Sequence, residues 1–153
     1  MRTEHSVEIA RPPEEVFEFI SDPRNDPRWC EKVLSCEQVT GDGPAVGARY
    51  RSVHRPTRIK PKAELVCEIV AFDPPSAMAS RQEDEDGVFD VTYEVAPIPE
   101  GTRFTQRSEI EWKLPRPLQL VANRMVPRHI EGQMKALKGL LEPLISAAGL
   151  ISR

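Results

Sequence analysis

The chain has 153 residues, 39% hydrophobic and 29% charged, with a formal net charge of −3 at neutral pH. That length suits one domain with a self-sufficient core, and the composition is globular rather than disordered. The weak acidic charge gives no global pull toward DNA or anionic membranes, no run of about 18 apolar residues is present to span a bilayer, and Met1 to Ser6 lacks the apolar start of a secretory signal.

Residues 3–10 alternate, with Val7 and Ile9 against Glu4, Ser6 and Glu8, which predicts a half-buried strand. Pro12-Pro13 followed by Glu14 and Glu15 opens a helix whose apolar face is Val16, Phe17 and Ile20. Ser21-Asp22-Pro23 ends it, and Asn25 to Trp29 reads as a second, very short helix or turn. Strands are then expected over 31–40, 47–55, 62–72, 77–83, 88–96 and 102–112. Gly41-Asp42-Gly43-Pro44 and Asp86-Gly87 supply turn chemistry between them. Fifteen prolines punctuate the chain at these joints.

Leu118, Val121 and Met125 have helical spacing up to Pro127, which is expected to break or kink the helix or to begin a new one. Beyond it Ile130, Met134, Leu137, Leu140, Leu141 and Leu144 recur at threes and fours. The expected architecture is α+β: an antiparallel sheet of about seven strands, two short helices after the first strand, and a long C-terminal helix covering the dry face. One domain is expected over 1–147, with 148–153 as a C-terminal tail.

Several joints carry a resemblance to a known family. They are Val7-Glu8-Ile9-Ala10, then Pro13-Glu14-Glu15-Val16-Phe17-Glu18-Phe19-Ile20, and Asp22-Pro23 through Pro27 to Trp29. Gly43-Pro44-Ala45-Val46-Gly47-Ala48-Arg49-Tyr50, Asp73-Pro74-Pro75, Gly101-Thr102-Arg103-Phe104 and Leu137-Lys138-Gly139-Leu140-Leu141-Glu142 follow in order. Together they resemble the START-like helix-grip superfamily (SRPBCC), in its polyketide cyclase/dehydrase-like branch. The resemblance covers nearly the whole chain. It implies a curved sheet wrapped around the long helix, a deep cavity between them, and no bound metal or redox cofactor. It does not choose a function, because the superfamily holds lipid carriers, receptors and aromatase/cyclases.

Alternation shows independently what would face the helix. The faces rich in Glu, Arg and Lys belong in water, since unpaired buried charge is expensive. The opposite faces carry Tyr50, Ser52, His54, Leu65, Cys67, Ile69, Phe89, Val91, Tyr93, Val95, Phe104, Gln106, Ser108, Ile110 and Trp112. A filled core would use aliphatics throughout. Uncharged polar groups on an apolar wall suit a small-molecule pocket, or else they satisfy one another inside a filled core. Trp29, Tyr50, His54, Tyr93, Gln106, Ser108 and His129 are the candidate ligand-facing set.

For chemistry, His54 and Tyr93 are the candidate proton-moving groups. His5, His54 and His129 lack zinc-site spacing, and no carboxylate is expected on the inner faces, which disfavours a paired-carboxylate hydrolase. Ser108 sits in no nucleophile elbow, and Cys67 reads as a small core residue. Gly41-Asp42-Gly43 leads into no helix that could hold a phosphate. Glu83-Asp84-Glu85-Asp86 reads as a solvated hairpin tip. Arg49, Arg51, Arg55, Arg58, Lys60 and Lys62 form a basic stretch that is either an ordinary wet face or a contact for an acidic ligand, RNA or protein.

Cys30, Cys36 and Cys67 read as free thiols of a cytoplasmic protein. The leading expectation is a module that binds a hydrophobic or aromatic, lipid- or polyketide-like small molecule. The alternatives are a cyclase/dehydratase using the same cavity and an interaction module with a vestigial one. No DNA partner and no membrane span are expected.

Overall fold

In the computed structural model, which describes residues 1–55 and 62–151 with side chains through 142, β1 (Arg2–Ile9) leads into α1 (Pro13–Ile20). A 3-10 turn at Pro23–Asn25 and the four-residue α2 (Asp26–Trp29) follow. Then come β2 (Val33–Thr40), β3 (Arg49–His54), β4 (Ala63–Asp73), β5 (Ala77–Glu83), β6 (Gly87–Ile98) and β7 (Gly101–Trp112), and finally α3 (Arg116–Ile151).

All seven strands form one curved antiparallel sheet in the order β1-β7-β6-β5-β4-β3-β2. β1 and β2 are consecutive in sequence yet lie at opposite edges, so the segment carrying α1 and α2 must travel from one edge to the other. Proline and two acids shape the first turn of α1, and the N–H of Ser21 closes its last turn on the Phe17 carbonyl at 2.9 Å. Val16, Phe17 and Ile20 point from α1 into the core, where the helix meets β6 and β7.

Pairing across β6 and β7 sets Tyr93 opposite Gln106, Val91 opposite Ser108 and Phe89 opposite Ile110. The other face is wet and carries cross-strand ion pairs. Arg49 meets Glu68 at 2.8 Å, Arg51 meets Glu37 at 3.3 Å, Arg103 meets Glu8 at 3.1 Å, and Arg107 holds both Glu4 and Glu94. Exposed pairs of this kind add little stability each, but they explain why that face needs its charges. Arg49 and Arg51 are therefore part of an ordinary wet face, while Arg58 and Lys60 of the same basic stretch lie outside the described residues.

α3 buries Ile130, Met134, Leu137 and Leu141, a stripe at i, i+4, i+7 and i+11. It is tied to β1 by Lys138, whose Nζ donates to the Glu8 carbonyl (2.6 Å) and to Glu142 Oε1 (2.8 Å). Near its start, Trp112 Nε1 donates to Asn123 Oδ1 at 2.7 Å. Pro127 does not end the helix, contrary to its usual effect: one helix runs through it to Ile151, past the point expected to begin a tail. Proline removes one backbone donor, which costs about 3 kcal/mol. Burial of the four apolar side chains that follow, at roughly 1.5–3 kcal/mol each, outweighs it. No helix among the described residues is long and apolar enough to cross a membrane.

Leu137 is fully buried, whereas Leu120 of the same helix is 68% exposed. Leu137→Ala should cost about 2–5 kcal/mol in urea unfolding, and Leu120→Ala should stay within about 0.5 kcal/mol of the parent.

Candidate functional site

The inward-facing positions of each long strand change character part-way along. On β7, Phe104 is fully buried in the packed core, while Gln106, Ser108, Ile110 and Trp112 border open space. On β6 the change falls between Val95 and Tyr93, on β4 between Ile69 and Cys67, and on β3 between Tyr50 and Ser52. The space is a cavity of about 340 Å³, closed on the other side by α3 through Ala122, Met125, Val126 and His129. Three rings from three elements sit at the boundary. Trp29 lies 6.2 Å from Tyr93 and 6.1 Å from Phe104, and Tyr93 lies 5.2 Å from Phe104, centroid to centroid.

Five of the seven residues expected to face a ligand line this cavity: His54, Tyr93, Gln106, Ser108 and His129. Tyr50 and Trp29 do not. Tyr50 lies on the inner face but at the filled end of β3, completely buried, with its hydroxyl unpartnered. Trp29 is 2% exposed and forms the boundary rather than the lining. Alternation identifies the face a residue occupies, and position along the strand decides whether it meets core or cavity.

The expectation that no carboxylate points inward is corrected by Asp26, which lines the cavity from α2, and by Asp84 and Asp86 at the β5–β6 turn. Asp84 Oδ1 accepts from the backbone N–H of Asp86 (2.7 Å) and of Gly87 (3.0 Å), so this acid shapes the hairpin while bordering the cavity. Asp26 escapes periodicity because a four-residue helix has none. Its legible signal is the i, i+3 spacing to Trp29, which puts both on one helix face.

Burial pushes the Asp26 carboxyl well above its ordinary range, and the nearby Asp22 carboxylate pushes the same way. The Trp29 indole N–H opposes the shift weakly, since it makes no hydrogen bond of good geometry. The Tyr93 hydroxyl is likewise raised, by burial first and then by Asp26. Burial holds the thiols protonated too: Cys67 is pushed to about 12 and Cys36 to about 11. Gln106 Oε1 is buried without a partner. This end of the cavity thus presents an acid disfavoured as an anion, a phenol and an unused amide oxygen.

The other end is marked by His54 and His129. Both imidazoles are lowered by burial; Asp84 opposes the effect at His54, where His129 adds to it, and Lys32 adds to it at His129. His129 Nε2 lies 3.0 Å from the Gln133 amide nitrogen, which can only donate, so the ring accepts there in its neutral form. Among the described residues no three His, Cys, Asp or Glu side chains converge as metal ligands.

A family model described as polyketide cyclase/dehydrase and lipid transport matches residues 1–142. No curated protein sequence matches the chain. Among solved structures, a START superfamily protein from Mycobacterium smegmatis superposes with a TM-score of 0.78 at 19% identity, covering 94% of this chain and 98% of that one. The protein TTHA0849 from Thermus thermophilus gives 0.74 at 21% identity, with 94% and 97% covered. The di-domain ARO/CYC BexL from the BE-7585A biosynthetic pathway gives 0.72 at 18% identity, with 91% of this chain and 45% of that chain covered. At these identities the likeness is one of fold.

The shifts predict opposite pH dependences. Asp26 has a raised folded value, so its favourable contribution is complete only below about pH 4 and is lost as pH rises. Asp26→Asn should therefore raise the thermal midpoint at pH 7 by several degrees, at about 2–4 °C per kcal/mol, and the gain should shrink toward pH 4. His54 and His129 have lowered folded values, so their contribution is complete above about pH 6.5 and is lost as pH falls below it. NMR titration should place both imidazoles below free histidine, with unfolding free energy declining over the same range.

Proposed function

The chain belongs to the polyketide cyclase/dehydrase and lipid transport family, and from that premise we propose that it binds an uncharged, mainly apolar small molecule in the cavity between the sheet and α3. The observation that carries the reading is the unpartnered Gln106 Oε1, buried in an otherwise largely apolar wall directly across from Tyr93. Buried polar atoms are ordinarily satisfied, so an acceptor left open beside empty space points to a ligand donor. Phe89, Val91, Ile110 and Trp112 would surround the apolar body, while the Tyr93 hydroxyl would donate to a carbonyl or hydroxyl on the ligand. Ser108 and, at the far end, His54 and His129 offer further hydrogen bonds. The volume falls at the lower end of small-molecule sites, about 300–1,000 Å³.

Asp26 argues against an anionic ligand group at its end of the cavity. It lacks a cationic partner among the described residues, so a ligand carboxylate at that end would face an acid already disfavoured as an anion. The free state of Cys30, Cys36 and Cys67 supports assignment to the cytoplasm.

Asp26 also favours one second reading, a cyclase/dehydratase in which the bound molecule is changed. A carboxyl whose burial favours its protonated form, beside a phenol, can give a proton to a ligand oxygen, and the cavity supplies orientation. His54 would be the third proton-moving group. The interaction-module reading gains nothing from Arg49 and Arg51, which are paired with Glu68 and Glu37.

Native mass spectrometry before and after denaturing extraction tests the reading, together with titration of Nile red as a neutral apolar probe. The expected result is an extra mass that leaves with the solvent, and probe binding that Val91→Trp weakens at least ten-fold while unfolding cooperatively. A wild-type chain that binds neither, or a Val91→Trp chain that binds equally well, overturns it. Re-added extract returned unchanged supports the carrier; conversion that Asp26→Asn abolishes without loss of binding supports the enzyme.

A further inference from the structure

The first half of α3 has a surface that neither the core nor the cavity explains. Within eight residues it exposes Leu118 (53%), Leu120 (68%), Val121 (54%) and Met125 (48%). A helix facing only water would carry polar residues there. Leu118, Val121 and Met125 fall at i, i+3 and i+7, one stripe along the helix. Met125 belongs both to this stripe and to the cavity wall, so apolar surface passes from outside to inside at that residue, beside Ala122 and Val126.

The same stretch is basic. Arg116, Arg124 and Arg128 are exposed, and no Asp or Glu occurs between Glu111 and Glu131. Arginines of the sheet such as Arg49, Arg51, Arg103 and Arg107 are matched by acids across the strands. The three on α3 form no ion pair with any described residue. Arg124 and Arg128 each follow an exposed apolar residue, Val121 and Met125, by three positions, so the cationic row runs beside the apolar one. Acids at this end of the molecule include Glu83, held by Lys113 at 2.8 Å, Asp84, Glu85 and Asp86 at the hairpin, and Glu31, whose charge reaches His129.

We propose that the first half of α3 docks onto an anionic lipid bilayer, the Leu118–Val121–Met125 stripe entering the headgroup boundary while Arg116, Arg124 and Arg128 meet lipid phosphates. An unneutralised cationic row beside an exposed apolar row is the surface that such a bilayer complements from both sides, by charge and by apolar burial. A second copy of the chain is a poorer occupant, because it would bring the same three arginines against themselves. The net charge of −3 does not oppose the contact, since charges farther away than about 8 Å are screened at physiological salt. Met125 then forms the sill between the bilayer and the cavity. Docking itself is independent of whether the cavity holds a ligand.

The test is co-sedimentation of the full chain with vesicles of phosphatidylcholine alone or mixed equally with phosphatidylglycerol. The expected result is a preference for the anionic vesicles of roughly ten-fold or more, reduced by added salt. Arg124→Gln with Arg128→Gln should bring binding down to the level of neutral vesicles. Leu118→Ser with Val121→Ser should weaken it at least about five-fold. All four side chains are exposed, so both variants should unfold at the parent midpoint, which a thermal melt checks. Absence of vesicle binding, indifference to lipid charge, or full binding by both variants overturns the proposal. A concentration-dependent dimer lost in the Leu118→Ser, Val121→Ser chain, without vesicle binding, also overturns it and gives the face to a second copy.

Discussion

The contact of Trp29 with Tyr93 and Phe104 divides the interior, and the rest of the structure is arranged around that division. A curved sheet and one long helix could be filled from end to end. Here α1 supplies Val16, Phe17 and Ile20 to one half, and the strands answer with Ile9, Val95 and Phe104. No comparable set fills the other half, where the inward positions of β3 and β7 include the small or polar Ser52, His54, Gln106 and Ser108. Packed protein interiors tolerate few voids, so an unfilled region must be walled off by groups that are themselves well packed. The three rings do this, and they come from α2, β6 and β7 because those elements converge there.

The same short helix that delivers Trp29 also delivers Asp26, and this couples the wall to its chemistry. An acid on a surface helix would be ionised at neutral pH. Three residues before a buried indole, it is drawn to the cavity side and loses most of its hydration, with Asp22 as the nearest additional charge. Polarity in the cavity is therefore spread between two ends. Asp26, Tyr93 and Gln106 cluster at the boundary with the core, and His54 and His129 stand opposite near the β5–β6 turn.

What could be read from the sequence followed from periodicity, and what could not followed from its absence. β6 and β7 alternate over a dozen residues, so their inner faces, including Tyr93, Gln106 and Ser108, are fixed by the pleat. Tyr50 satisfies the same alternation yet meets core instead of cavity, because a period-two pattern has no coordinate along the strand. Asp26 sits in too few helical residues to form any pattern. Pro127 is legible as a breaker, but its effect depends on tertiary burial of Ile130, Met134, Leu137 and Leu141, which local propensity does not contain.

α3 joins these features, because its two halves answer to different partners. Beyond Pro127 its apolar stripe is buried and its lysine and glutamate tie it to β1. Before Pro127 none of its side chains is fully buried, and the Trp112–Asn123 hydrogen bond and the half-buried Val126 link it to the body. Stability is not uniform along such a helix: the half with few buried contacts is the half that separates from the body at least cost. That half also walls part of the cavity through Ala122, Met125 and Val126, and it bears Arg116 and Arg124, with Arg128 just past the proline. A net charge summed over the chain conceals this, since the strand arginines are cancelled locally and those of α3 are not. The distribution of charge against burial, rather than its total, sets which surface this molecule presents to its surroundings.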